Sequence, residues 1–257
     1  MDRLAFEVAE MTAEALKQRR HRDAFTAYCS GKLSDGMELV QQCLKTDPDD
    51  GRAWELCGLI HYAGKRFQES VNSIEHASAL VPLRAVGQAC LGHAYAKTNR
   101  PRLALNLLSE LIENTSISAP LMLQIATGLD AVGRPDLAIR ACRRAVDRNP
   151  KLAQAHYDLG FYGGKVGVST SQIESSIRKA INLAPQHSTY RVGLAGLLSE
   201  NGQTEEAHGL VAHLTNDELA SLSCSCCLQR LAKLYRSAND TRRVVVCQQR
   251  LLHLATR

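Results

Sequence analysis

Nine cysteines are the residues of this chain best suited to chemistry, and three of them crowd into one short run, Cys224-Ser225-Cys226-Cys227. A Cys-x-x-Cys is the spacing of half a zinc site or of a redox pair. Zinc asks for a second close pair of ligands, and only Cys247 and His253 lie near in sequence. A thioredoxin-like pair asks for a strand before its helix, and none is predicted. In a first helical turn the dipole would lower the thiol pKa values and open them to oxidation. The plainer expectation is that these cysteines fill helix positions in place of Ala or Ser.

The other candidate sites are weaker. Gly163-Gly164-Lys165-Val166 shares only its Gly-Lys pair with a phosphate loop, lacking the earlier Gly and the following Ser or Thr that hold phosphate and magnesium. His-Glu-x-x-His, Gly-x-Ser-x-Gly and dinucleotide fingerprints do not occur. His61, His93 and His156 fall in first helices of three different units, at different offsets, so nothing in the pattern makes them converge. The sequence therefore predicts no catalytic residues, no cofactor and no metal site.

The elements that would position these residues form a repeat. Small residues recur at Ala24, Gly58, Gly92, Ala126, Gly160, Ala195 and Ala232, in steps of 34, 34, 34, 34, 35 and 37. Turn residues share those steps at Gly31, Lys65, Asn99, Gly133, Gly167, Gly202 and Asn239. A third series runs Gly36, Ser70, Ala104, Ala138, Ile173, Ala207 and Val244, and Pro48, Pro82, Pro150 and Pro185 form a fourth. Two antiparallel helices account for all four. A small residue lets backbones approach, Gly or Asn tolerates positive φ in the turn, and Pro stops the second helix. Pro101 and Pro135 fit the first turn of a helix, where a missing N–H costs nothing.

Trp54, Cys57-Gly58, Phe67, Ala77 and Pro82 resemble the tetratricopeptide pattern of an aromatic, a Leu-Gly pair, an aromatic, an Ala and a Pro in 34 residues. Leu91-Gly92, Tyr95, Ala104 and Leu108 repeat it, as do Leu159-Gly160, Ala180 and Pro185. Ser116 departs from it, standing where a closing proline is usual, and Val244 and Gln248 stand where small and aromatic residues are usual. The resemblance implies an all-α, right-handed superhelical solenoid of antiparallel helix pairs. Residues 1–22 are expected to form a capping helix, ending near Arg19 and followed by a solvated basic junction, Lys17 to Arg22. The array then occupies 23–257, in units of about 23–50, 51–84, 85–118, 119–152, 153–187, 188–218 and 219–257.

Composition agrees, with 45% hydrophobic but only 5% aromatic residues, as in an alanine- and leucine-rich helical stack. No run of about 18 apolar residues predicts a membrane span. Met1 to Arg22 carries Glu7, Glu10 and Glu14 and lacks a signal peptide's uncharged core, so a cytoplasmic location is expected. Cys43, Cys57, Cys90 and Cys142 fall on buried faces of the register. The net charge of +5 is concentrated at the C-terminal end, in Arg230, Lys233, Arg236, Arg242, Arg243, Arg250 and Arg257.

The resemblance makes the first helices the lining of a concave binding groove. Its candidates are Glu55, Leu59, Tyr62, His93, Lys97, Gln124, Thr127, Asp130, Tyr157, Phe161, Lys165, Gln229, Lys233 and Arg236. Tyr62 and Tyr157 have a competing role, packing between helices. The function expected is a non-catalytic scaffold binding a peptide or partner helix of another protein. Binding of nucleic acid or another anionic partner through the basic C-terminal helices is the alternative. The Lys and Asn clamp that some of these arrays use for chaperone C-terminal tails has no match: its offsets hold Glu55 and Leu59, Ala89 and His93, Leu123 and Thr127, or Tyr157 and Phe161. Leu251, Leu252 and Leu254 offer an apolar end that could pair with a second copy.

Overall fold

The computed structural model describes the backbone of residues 2–255 and the side chains of 14–255. Among these residues there are fifteen helices and no strand. They run α1 (Asp2–Cys29), α2 (Leu33–Thr46), α3 (Gly51–Ala63), α4 (Phe67–Leu80), α5 (Ala85–Lys97), α6 (Pro101–Ile112), α7 (Ala119–Ala131) and α8 (Pro135–Arg148). There follow α9 (Ala153–Val166), α10 (Thr170–Leu183), α11 (Ser188–Glu200), α12 (Thr204–Val211), α13 (Asn216–Ser221), α14 (Ser225–Ser237) and α15 (Thr241–Ala255). The chain is an all-α repeat array of helix pairs.

Every residue of the turn series adopts left-handed backbone, Lys65 included. Gly31, Gly133, Gly167 and Gly202 have φ between 73° and 82°, and Lys65, Asn99 and Asn239 between 57° and 59°. Each left-handed residue reverses the chain between a first and a second helix. The prolines act as stops: Pro48, Pro82, Pro150 and Pro185 each lie two residues beyond the end of α2, α4, α8 and α10. The small-residue series marks close approach. A Cβ on Gly92 would lie 2.6 Å from Leu108, and one on Gly160 2.7 Å from Ile177. Ser70 belongs to the third series and donates its hydroxyl to the carbonyl of Gly58 at 2.9 Å, which satisfies a buried polar atom at such a crossing. Cys43, Cys57, Cys90 and Cys142 are all buried among apolar side chains, as the register requires.

The chain divides into two compact units, one up to Ala141 and one from Cys142 onward, a division that falls inside α8. The first has a core built on Val40, Leu56, Leu59, Ile60, Val71 and Ile74. The second is built on Leu194, Leu198, Val211, Leu219, Leu228 and Tyr235.

Two sequence expectations need correction. No junction separates a capping helix from the first unit: α1 is one helix of 28 residues. The apolar cap residues Leu4, Phe6, Val8 and Met11 lie outside the described side chains. The basic run lies within α1, and part of it is bonded. Lys17 pairs with Asp47 at 2.8 Å and Asp50 at 3.3 Å, and the His21 ring lies 2.6 Å from Asp50. Asp50 caps α3 by accepting from the N–H groups of Arg52 and Ala53. Although burial opposes ionisation, these donors and the neighbouring cations hold its carboxyl below the ordinary range.

The second correction concerns the step of 37. It arises from a shortened α12 of eight residues and an extra helix, α13, which lies across the expected boundary at 218. Thr215 and Glu218 form a capping box there, the Glu218 N–H donating to Thr215 Oγ1 and the Thr215 N–H to Glu218 Oε2. The Thr-x-x-Glu signature was readable in the sequence. Leu214, Leu219 and Leu222 anchor this insertion in the second core.

Candidate functional site

In the first unit, the first helices place the expected groove residues unequally. Glu55 is fully buried, and Leu59 is 1% exposed, so neither lies on a binding face. The Glu55 carboxylate accepts from Arg52 Nη1 at 2.9 Å, from the Arg84 N–H at 2.8 Å and from Arg84 Nε at 2.8 Å. A Cβ on Gly87, in the next first helix, would collide with it. The repeat register could not foresee this, because a carboxylate at such an offset turns inward only when cations such as Arg52 on its own helix and Arg84 at the start of α5 meet it.

Tyr62 and His93 are half-buried and bonded to each other, Tyr62 Oη lying 2.5 Å from His93 Nδ1. Their rings meet edge to face with centroids 5.6 Å apart, and Phe67 joins them at 5.9 Å from Tyr62. Burial, aided by the Lys97 charge, holds the His93 imidazole below its ordinary pKa. Lys97, Gln124 and Thr127 are exposed and Asp130 is half-buried. Thr127 donates its hydroxyl to the Leu123 carbonyl at 3.0 Å. His156 is buried, with its ring bonded to the Pro150 carbonyl, a packing role that leaves it out of any site.

The second unit contains a cavity of about 410 Å³. Its wall is built by α9 (Tyr157, Phe161, Gly164, Lys165), α10 (Ile173, Ile177), α11 (Val192, Gly193, Leu197, Glu200) and α14 (Cys224, Cys226, Cys227, Arg230). Tyr157 packs on Tyr190, ring centroids 4.9 Å apart, and a Cβ on Gly193 would lie 2.7 Å from the Tyr157 ring. Glycine at 193 is thus what allows Tyr157 to lie against α11. Phe161 stays 49% exposed, with Lys165 Nζ 4.7 Å from its ring centre. Arg230 pairs with Glu200 at 2.8 Å. Gly163 to Lys165 lie inside α9, where the helix ladder engages their amides, so the Gly-Lys pair forms no phosphate loop.

Behind Tyr157 is a polar relay. Tyr190 Oη donates to Gln154, and Gln154 Nε2 donates to Asp158 Oδ1 at 2.7 Å. Burial nevertheless dominates and pushes the Asp158 carboxyl up to about 6.

The cysteine run lies on the cavity wall. Cys224 is the N-cap of α14, and its sulfur accepts from the Cys227 N–H at 3.3 Å. Cys226 Sγ is 2.9 Å from Cys224 Sγ, and the three sulfurs lie within 4.8 Å of one another. Among the described residues this is the one group of three or more His, Cys, Asp or Glu whose donor atoms converge. The sequence showed a Cys-x-x-Cys but not this convergence, which depends on where helix α14 begins. Of the three thiols only Cys224 is lowered, and hydrogen bonds do it. Burial opposes it, but donation from the neighbouring thiols and N–H groups holds Cys224 below its ordinary pKa, whereas Cys226, donating to Cys224, and the more deeply buried Cys227 are raised.

Of the remaining candidates on α14, Lys233 and Arg236 are exposed, and neither lines the cavity. Gln229 instead borders a separate hollow with Leu251, Leu252 and Leu254. Part of the C-terminal basic surplus is used internally: Arg243 donates to the Leu214 carbonyl and to Asp240, and Arg250 to the Leu222 carbonyl.

The family model for the tetratricopeptide repeat matches residues 123–160, from within α7 through α8 into α9. Over those residues the chain carries a tetratricopeptide repeat. Solved structures of similar fold include PilW, a type IV pilus biogenesis factor, at 16% identity and a TM-score of 0.67, covering 77% of this chain and 92% of that one. YrrB, a tetratricopeptide protein with an unusual peptide-binding site, is 19% identical with a TM-score of 0.53, over 66% of this chain and 88% of that one. A thermophilic tetratricopeptide protein from Thermus thermophilus is 20% identical with a TM-score of 0.55, over 71% and 98%. At such identities the likeness is one of fold. No curated protein sequence matches the chain. Among the described residues, no helix is long and apolar enough to cross a membrane.

Proposed function

We propose that this repeat array is a non-catalytic, cytoplasmic scaffold that holds a segment of another protein, an extended peptide or a helix, against the first helices of its second unit. The observation that carries the reading is the cavity on α9, α11 and α14. It has an apolar floor of Ile173, Ile177, Val192 and Leu197, and a large exposed aromatic, Phe161, on its wall. A pocket of that size takes one or two apolar side chains, and an exposed aromatic beside a desolvated pocket is the usual form of an interface anchor. Lys165, over the Phe161 ring, and the Arg230–Glu200 pair supply the polar rim. YrrB, of similar fold, has a peptide-binding site. The nine cysteines, all free thiols, suit a reducing compartment.

The deciding experiment is an affinity purification, nuclease-treated and washed at high salt, comparing the chain with its Phe161→Ala variant. Phe161 is exposed enough that its loss leaves folding intact, which a thermal melt verifies. A discrete protein retained by the parent and lost from the variant supports the scaffold. Recovery of nucleic acid alone, falling steeply between about 50 and 200 mM salt, would move the site to the basic C-terminal helices. No binding of an acidic chaperone tail ending Glu-Glu-Val-Asp is expected, since Glu55 and Leu59 close the nearest clamp offset; fluorescence anisotropy with such a peptide tests this.

A further inference from the structure

The cysteine run does more than fill a helix. A residue at the N-cap and one three positions later are brought together by the way a helix begins, because the cap side chain turns back over the third N–H. Cys224 and Cys227 hold those two positions, and Cys226 lies between them. The result is three sulfurs within 4.8 Å on the wall of an open cavity. Neutral thiols make poor caps, whereas a thiolate is a good one: the free N–H groups and the helix dipole both favour negative charge at this end. Arg230, on the same wall, adds a cation, although Glu200 pairs with it at 2.8 Å.

We propose that Cys224, Cys226 and Cys227 bind one soft monovalent metal ion, Cu(I), in a three-thiolate site at the N-terminus of α14. Ligand count selects the ion. Structural zinc sites take four protein ligands, and among the described residues no fourth His, Cys, Asp or Glu joins the group. Cys247, the nearest cysteine in sequence, is fully buried in the core. Soft thiolates favour Cu(I), which is content with three of them. With metal–sulfur bonds of about 2.3 Å, a trigonal site sets its sulfurs about 4 Å apart. That spacing lies inside the 4.8 Å envelope, and the 2.9 Å Cys224–Cys226 separation opens by a rotation about one Cα–Cβ bond. Three S–H bonds release their protons to solvent as three Cu–S bonds form, less the fraction of Cys224 already ionised. No electron is transferred.

The test is an anaerobic titration of the reduced, metal-free full-length chain with Cu(I), against a chromophoric Cu(I) chelator. We expect one tightly held equivalent, and X-ray absorption showing three sulfur neighbours. Each single Cys→Ser change should weaken binding at least 100-fold, and the triple change should abolish it. Cys29→Ser, at an exposed cysteine elsewhere, should leave it unchanged, and the titration contains no partner protein, so this result stands or falls apart from the partner reading. Serine is a better N-cap than cysteine, so the triple variant should keep its helix, and circular dichroism verifies that. Equal Cu(I) uptake by the triple variant would overturn the site. Tighter binding of Zn(II), with a fourth ligand in its absorption spectrum, would overturn the choice of ion. An oxidised Cys224–Cys226 pair that persists under reductant, with no metal taken up, would overturn both.

Discussion

Glu55 in α3 and Tyr157 in α9 hold the same offset, three repeats apart, and the two units use it in opposite ways. Glu55 turns inward and is bound by Arg52 and Arg84, so its offset joins one repeat to the next. Tyr157 lies half-buried against Tyr190 and Gly193 and forms one wall of a cavity that also holds Phe161 and three thiols. A glycine of the following first helix, Gly87 or Gly193, admits each side chain. What differs is the company: two arginines convert the position into a fastening, whereas an aromatic laid on Tyr190 and Gly193 leaves it as the wall of a cavity. A register position is thus a location, and its neighbours decide its work.

The largest effect should come from removing the fastening. Glu55→Ala leaves the Arg84 N–H without its acceptor and a cavity where a carboxylate was. We expect a loss of about 3 kcal/mol, since breaking a buried pair costs about 3–5 and the half-exposed arginines recover some hydration. Urea unfolding measures it. Unchanged stability would show that Glu55 is not the join between these repeats.

The relay behind Tyr157 predicts a gain. Asp158 has its carboxyl raised to about 6, so the folded state prefers the protonated form, and stability falls as pH rises from about 4 through 6. Asp158→Asn keeps the acceptor for Gln154 and removes the charge. Around pH 7 it should be more stable by about 2 kcal/mol, and the variant's stability should be flat where the parent's slopes. Melts across that range check both.

Gly193→Ala tests the other glycine. Its Cβ would lie 2.7 Å from the Tyr157 ring, so the ring must shift, at a cost of about 1–2 kcal/mol by the usual penalty for overpacking. Partner affinity should fall with it, whereas the same change at Gly209, which has open space, should do neither. Isothermal titration with the identified partner, alongside a melt, separates the two effects.

The smallest effect lies in the first unit's turn. Lys65 has φ +58° where its counterparts Gly31 and Gly133 have no Cβ to strain. Lys65→Gly should stabilise by up to about 1 kcal/mol, the left-handed penalty less the added freedom of the unfolded chain. The shift in denaturation midpoint is the readout.

The sequence by itself determined the turns, the stops and the close crossings. All seven left-handed turn residues, the four proline stops and the crossings at Gly92 and Gly160 lie where the period puts them. These are local requirements, met within a few residues by a missing Cβ or a missing N–H. Only the tertiary structure decided where side chains end. It ran α1 through the basic run, since Lys17 and His21 find Asp47 and Asp50 about 30 residues away. It buried Glu55, whose cation Arg84 sits 29 residues on, at the N-cap of α5. It inserted α13, whose capping box could be read but whose leucines needed a core to enter. It also gathered three cysteines at one helix end. Those outcomes depend on which surfaces meet, and a single chain's spacing does not record the residue waiting on the other side.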